Sequence, residues 1–130
     1  MFTHVMVSWD GSKGARRAMD YARAFAERFD SRTLVVAVAG SAADAFHFED
    51  AKDEALAVLG AGIAKARFAV VRSSGDHGAS LRSAAHKAGV DLIIVGRRQL
   101  SGSARVMLGG PSSRLLENSA CPVLVVHEED

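Results

Sequence analysis

Several features that mark particular classes of protein are scarce or missing in this chain of 130 residues. It contains one cysteine, Cys121, which excludes an internal disulfide and a cysteine-rich metal site. No apolar run approaches the ~20 residues that span a bilayer, and no export leader precedes the first apolar segment, so we expect a cytoplasmic protein. The formal net charge of +1 gives no general reason to expect nucleic-acid or membrane binding.

Common catalytic and metal-binding motifs are missing as well. There is no P-loop pattern G-x-x-x-x-G-K-S/T, and the glycines at Gly60 and Gly62 follow a helical pattern rather than a strand, which argues against a dinucleotide-binding fingerprint. No G-x-S-x-G elbow and no H-E-x-x-H array occurs. The histidines are scattered along the chain, at His4, His47, His77, His86 and His127. We therefore expect neither a metal site nor a catalytic nucleophile.

What the chain does contain is a regular alternation of strand and helix patterns. Short apolar runs predict strands at residues 2–8, 33–39, 68–71, 92–95 and 123–126. Apolar residues at helical spacing predict helices at residues 12–29, 49–65, 77–88 and 110–118. Because strands and helices alternate, we expect one α/β domain, residues 1–130, built on a parallel sheet.

Ligands of open parallel sheets bind beyond the carboxyl ends of the strands, where the strand order reverses. We therefore expect the loop after the first strand, residues 9–12, to meet the loop after the fourth strand, residues 96–113. The second loop is either a polyphosphate cradle or a surface loop with solvated arginines. Its glycines and arginines are Gly96, Gly102, Gly109, Gly110, Arg97, Arg98 and Arg105.

Two residues of the first loop have alternative interpretations. Asp10 could accept hydrogen bonds from a ribose hydroxyl or a base amino group, or it could form an Asx-turn with Gly11 and Ser12. Trp9 could pack over an adenine ring, or it could fill space beneath the neighbouring loop. Position in the sequence leaves both questions open.

Three segments of the chain together resemble the universal stress protein family from end to end. They are VMVSWDGSKGARRAMDYA, SGDHGASLRSAAHKAGVDLIIVG and SACPVLVV. The resemblance implies an adenine nucleotide alpha hydrolase-like fold, an open five-stranded parallel sheet in the order 3-2-1-4-5 with helices on both faces. It also implies a homodimer built on the last strand, Val123–Val126, because an apolar edge strand needs a cover or a partner chain.

Nucleotide-binding members of that family carry the motif G-x2-G-x9-G-S/T after the fourth strand. Gly96 and Gly109 match its first and third glycines, while Gln99 replaces the second glycine and Gly110 replaces the serine or threonine. Gln99 costs roughly 1 kcal/mol if its position needs a positive φ, and the hydroxyl lost at Gly110 costs about as much. Together the two replacements would weaken ATP binding by ~10–100-fold.

The resemblance also implies which residues hold a nucleotide. Asp10 and Val38 match positions that line the adenosine pocket. The residues implied to hold the phosphates are Gly96, Gly109, Gly110 and Ser112, with Arg97 available for a charge-assisted contact.

The function implied by the resemblance is that of a stress-response regulator or sensor which binds ATP or AMP, with Mg²⁺ in the case of ATP. At most we expect slow ATP hydrolysis. The alternative is a dimeric universal stress protein that binds no nucleotide and acts through protein–protein interaction, which the replacements at Gln99 and Gly110 favour.

Overall fold

The computed structural model describes residues 1–39, 48–60, 65–72, 77–97 and 121–127. Its elements follow in the order β1 (His4–Trp9), α1 (Lys13–Phe29), β2 (Arg32–Ala39), α2 (Phe48–Leu59), β3 (Ala66–Arg72), α3 (His77–Ala88), β4 (Leu92–Gly96) and β5 (Val123–Val126). The helix predicted at residues 110–118 lies outside this description. Among the helices that are described, none is both long and apolar enough to cross a membrane.

The strands form a parallel sheet in the order β3-β2-β1-β4-β5, as the family resemblance implied. From β1 the chain proceeds outward to β2 and β3, and then returns across β1 to β4 and β5. The strand order therefore reverses between β1 and β4, which is the position where open parallel sheets bind ligands.

Helices cover the two faces of the sheet through separate apolar clusters. On one face, alternate residues of the strands pack against α1 and α2. The fully buried side chains of this cluster include Val5, Val7, Val35, Ile94, Met19 and Leu59. On the other face, Met6, Val36, Ile93 and Val95 pack against Leu81 and Ala85 of α3. Such burial on both faces explains why the strands are almost continuously apolar in sequence.

The ends of the helices follow from local chemistry. Ser12 caps α1, since its side chain accepts a hydrogen bond from the Ala15 amide at 3.1 Å. Helix α2 ends at Leu59, earlier than the predicted residue 65, and Gly60 follows with φ of +112°, a conformation that side-chain-bearing residues rarely adopt. Gly89, with φ of +70°, follows α3 where the sequence predicted its end.

Asp91 joins the start of β1 to the start of β4. Its carboxylate accepts hydrogen bonds from the Thr3 amide at 3.0 Å and the His4 amide at 3.2 Å, and its own amide donates to the His4 carbonyl at 2.9 Å. Burial raises the pKa of Asp91, but these amide hydrogen bonds outweigh it and hold the pKa below its ordinary value. This amino edge of the sheet lies opposite the carboxyl edge where a ligand is expected.

Candidate functional site

Three of the predicted site residues, Val38, Asp10 and Arg97, lie at or directly after the carboxyl ends of β2, β1 and β4. The register pairs Trp9 with Ala37 and Val7 with Ile94. Extended beyond these last paired residues, the register predicts that Asp10, which follows β1, lies between Val38 of β2 and Arg97, which follows β4. Adjacent strands lie about 4.8 Å apart, so one small ligand can contact all three positions.

Asp10 forms the Asx-turn that was one of its two interpretations. Its Oδ1 accepts a hydrogen bond from the Ser12 amide at 2.9 Å, and the exposed side chain lies directly after β1. Gly11, at the centre of this turn, has φ of +79°. The turn occupies Oδ1, so Oδ2 can still accept a hydrogen bond from a ligand, and the two interpretations of Asp10 are compatible.

Val38 provides an apolar surface beside Asp10. Its side chain is half-buried and packs against the cluster on the α3 face, and the residue pairs with Val71 of β3. A partly exposed valine at a strand end can contact an aromatic base without leaving a polar group unsatisfied.

Gly96 and Arg97 supply the β4 side of the row. Gly96 is buried as the last residue of the strand and pairs with Val126 of β5. Arg97 follows it and is exposed. A glycine at this point lets a ligand approach the backbone closely, and the adjacent guanidinium can pair with an anion.

The predicted phosphate-binding residues divide between described and undescribed parts of the chain. Gly96 and Arg97 are described and lie at the carboxyl end of β4. Gly109, Gly110 and Ser112, together with the replacement at Gln99, lie outside the described residues.

Trp9 fills space inside the protein. Its side chain is 3% exposed and belongs to the cluster formed with α1 and α2. The Arg16 guanidinium lies 5.5 Å from the centroid of the indole ring. Trp9 therefore supports the helices above it and presents no free face to an adenine ring.

An ion pair between α1 and α2 lies beside the Asp10 turn, and sequence reasoning missed it. Arg16 Nη2 lies 2.9 Å from Glu54 Oε1. That same carboxylate oxygen lies 3.5 Å from the position that a Cβ on Gly11 would occupy. Arg16 and Glu54 are far apart in the sequence, and both simply occupy polar faces of amphipathic helices. The helical periodicity could place them on those faces but could not pair them.

Comparison with known protein families gives one consistent result. The family model described as "Universal stress protein family" matches residues 1–127. Universal stress protein YxiE of Bacillus subtilis is 29% identical over 147 residues, an alignment that covers 97% of this chain and 99% of the relative.

Solved structures share the fold. A universal stress protein in complex with cAMP superposes with a TM-score of 0.72 at 22% identity, covering 98% of both chains. The universal stress protein of Archaeoglobus fulgidus in complex with dAMP superposes with a TM-score of 0.74 at 16% identity, covering 97% of this chain and 99% of the other. The architecture is therefore the adenine nucleotide alpha hydrolase-like fold, as predicted.

Proposed function

The chain belongs to the universal stress protein family, and from this premise we propose that it binds an adenine nucleotide, ATP or AMP, as a stress-response regulator or sensor. The observation that carries the proposal is the row of Val38, Asp10 and Arg97 at the carboxyl edge, where the strand order reverses. Two structurally similar universal stress proteins, solved with cAMP and with dAMP, support an adenine nucleotide as the ligand.

Each residue of the row has a distinct task in the proposed complex. Asp10 Oδ2 accepts a hydrogen bond from a ribose hydroxyl or the base amino group, while Oδ1 stays on the Ser12 amide. Val38 packs against the adenosine. The phosphates pass Gly96 and are paired by Arg97.

The remaining phosphate contacts come from Gly109, Gly110 and Ser112. Backbone amides of the two glycines donate to phosphate oxygens, and the Ser112 hydroxyl adds a further donor. Mg²⁺ enters only with ATP, bound to phosphate oxygens. The carboxylate that follows β1 at this edge is Asp10, and we assign it to the adenosine and not to Mg²⁺.

We further propose a cytoplasmic homodimer that pairs through β5. This strand lies at one edge of the sheet, and three of its four residues, Val123–Val125, are only half-buried. In the second candidate function, the same dimer acts through protein–protein interaction and binds no nucleotide. Gln99 and Gly110, which depart from the family's phosphate motif, favour that candidate. In both cases, we expect at most slow ATP hydrolysis.

Isothermal titration calorimetry with ATP, ADP and AMP on the purified full chain tests nucleotide binding. We expect saturable heat with ATP or AMP. The Asp10→Asn variant keeps an oxygen for the Ser12 amide but replaces the charged acceptor that faces the ligand. Its affinity should therefore fall by about 10-fold or more, the cost of a charge-assisted hydrogen bond.

The matched control is Asp53→Asn, the same chemical change at an exposed position of α2. It should bind nucleotide as the wild type does. An absence of heat at millimolar concentrations of all three nucleotides would favour the second candidate function. Equal affinities for wild type and Asp10→Asn would instead remove Asp10 from the site.

A further inference from the structure

Acidic and basic residues are distributed unevenly among the helices and strands. Helix α2 carries four carboxylates and one lysine, whereas β1, β2, β3 and α3 contain no acidic residue. The basic and imidazole side chains of those four elements are His4, Arg32, Arg67, Arg72, His77, Arg82, His86 and Lys87. The net charge of +1 therefore conceals an excess of positive charge in these four elements.

Three of these residues meet at the amino edge of the sheet, on the face that α3 covers. The register pairs His4 directly with Arg32, and it pairs Arg67 with Leu34, two residues further along β2. Met6, Leu34 and Val71 belong to the cluster on the α3 face. Since alternate residues of a strand share a face, His4, Arg32 and Arg67 project to that same face.

Two carboxylates lie near this group. Asp91 accepts hydrogen bonds from the Thr3 and His4 amides and acts on His4, and Asp30, two residues before Arg32, pairs with Lys65 at 2.8 Å. The two arginines are exposed on neighbouring strands, so both guanidiniums can turn towards a common ligand. Paired guanidiniums match the geometry and charge of a phosphate group.

We propose that His4, Arg32 and Arg67, here named the amino-edge cluster, bind a phosphate-type dianion on the face covered by α3. This site lies at the opposite end of the strands from the proposed nucleotide site and is independent of it. The anion contacts the two guanidiniums, and its charge acts on the neighbouring imidazole.

Binding at the amino-edge cluster is coupled to the protonation of His4. Burial lowers the pKa of His4, as do the charges of Arg32 and Arg67, while the Ala88 carbonyl of α3 and the Asp91 carboxylate raise it. His86 and Lys87, which directly precede Ala88 in the last turn of α3, are further basic side chains at this end of the helix. A bound anion offsets the two guanidiniums, favours the imidazolium and raises the pKa of His4, so protonation of His4 strengthens the binding of an anion of given charge.

NMR of the histidine ring resonances in the full chain, with inorganic pyrophosphate as the probe, tests this site. Ring resonances are followed from pH 5 to 8 at constant ionic strength, with and without pyrophosphate, and His4 is assigned from a His4→Gln spectrum. We expect saturable shifts at His4 and a rise in its pKa of about half a pH unit or more. His127, which follows β5 at the carboxyl edge, reports on the opposite end of the sheet.

Matched variants distinguish anion binding at the amino-edge cluster from a general effect of ionic strength. Arg67→Gln should weaken the pyrophosphate response at His4 by about two- to fivefold, as expected for one exposed charged contact. Arg72→Gln removes the same charge at the other end of the same strand and should leave the response unchanged. The proposal is overturned if His4 does not respond, if His127 alone responds, if both variants weaken binding equally, or if sodium chloride of equal ionic strength reproduces the effect.

Discussion

At the scale of single residues, polar side chains at both ends of β1 hold the backbone in place. Asp10 binds the Ser12 amide after the strand, and Asp91 binds the Thr3 and His4 amides at its start. The first arrangement leaves one carboxylate oxygen for a ligand, whereas the second uses both. This difference is why we assign binding to Asp10 and a structural role to Asp91.

The structural role of Asp91 predicts an acid-dependent loss of stability. Its pKa is lower in the folded chain than its ordinary value of 3.8, so the unfolded chain takes up the proton first as the pH falls. The stabilisation is therefore fully present above pH 3.8 and is lost as the pH falls through the folded-state pKa. Asp91→Asn should lower the free energy of unfolding at pH 6 by about 1 kcal/mol, a modest value because the site is partly exposed.

Urea denaturation of the two proteins at pH 6 and pH 3 measures this effect. The difference in the free energy of unfolding between wild type and Asp91→Asn should be smaller at pH 3 than at pH 6. Asp53→Asn should be as stable as the wild type at both pH values. A difference that stays constant between pH 6 and pH 3 would show that the charge of Asp91 does not stabilise the fold.

At the scale of elements, β5 combines an apolar sequence with an edge position. Its residues pair with β4 on one side, from Val123 opposite Ile93 to Val126 opposite Gly96. The Ile93 amide donates to the Pro122 carbonyl at 3.0 Å. In a parallel pair, successive residues direct their backbone groups to alternate sides, so the Val125 amide faces away from β4 and can pair with a second chain.

Val125→Pro should therefore prevent dimerisation. It removes the outward amide and leaves those that face β4, while Val125→Ala keeps the amide and serves as the control. In sedimentation velocity, we expect wild type and Val125→Ala at twice the monomer mass of 13.7 kDa and Val125→Pro at the monomer mass. Circular dichroism verifies that the proline variant is folded. A folded Val125→Pro dimer would place the interface elsewhere.

How far the sequence predicted each element depends on how local its signals are. Helix α1 was predicted closely because its cap, Ser12, and its apolar periodicity lie within one segment. Strands β3 and β4 were predicted too short. Their last residues, Arg72 and Gly96, are not apolar and so do not extend the apolar runs on which the prediction was based. Contacts that depend on strand register, such as His4 beside Arg32, have no local signal and were not predicted.

At the scale of the whole molecule, the two edges of one sheet offer different chemistry. The carboxyl edge combines a carboxylate, an apolar side chain and a glycine next to an arginine, which suits an adenine nucleotide. The amino edge combines an imidazole with two guanidiniums, which suits a small anion. The sequence predicted the first edge, and Asp10 within it, because the alternation of strands and helices determines which loops meet there. Val38 was identified only through the family resemblance.

We propose above all that an adenine nucleotide binds between β1 and β4. A crystal structure of the full chain grown with saturating ATP and Mg²⁺ tests it most directly. We expect adenosine against Val38 and Asp10, with the phosphates passing Gly96 towards Arg97. A nucleotide bound away from this edge, or an edge left empty at saturating ATP, would contradict it.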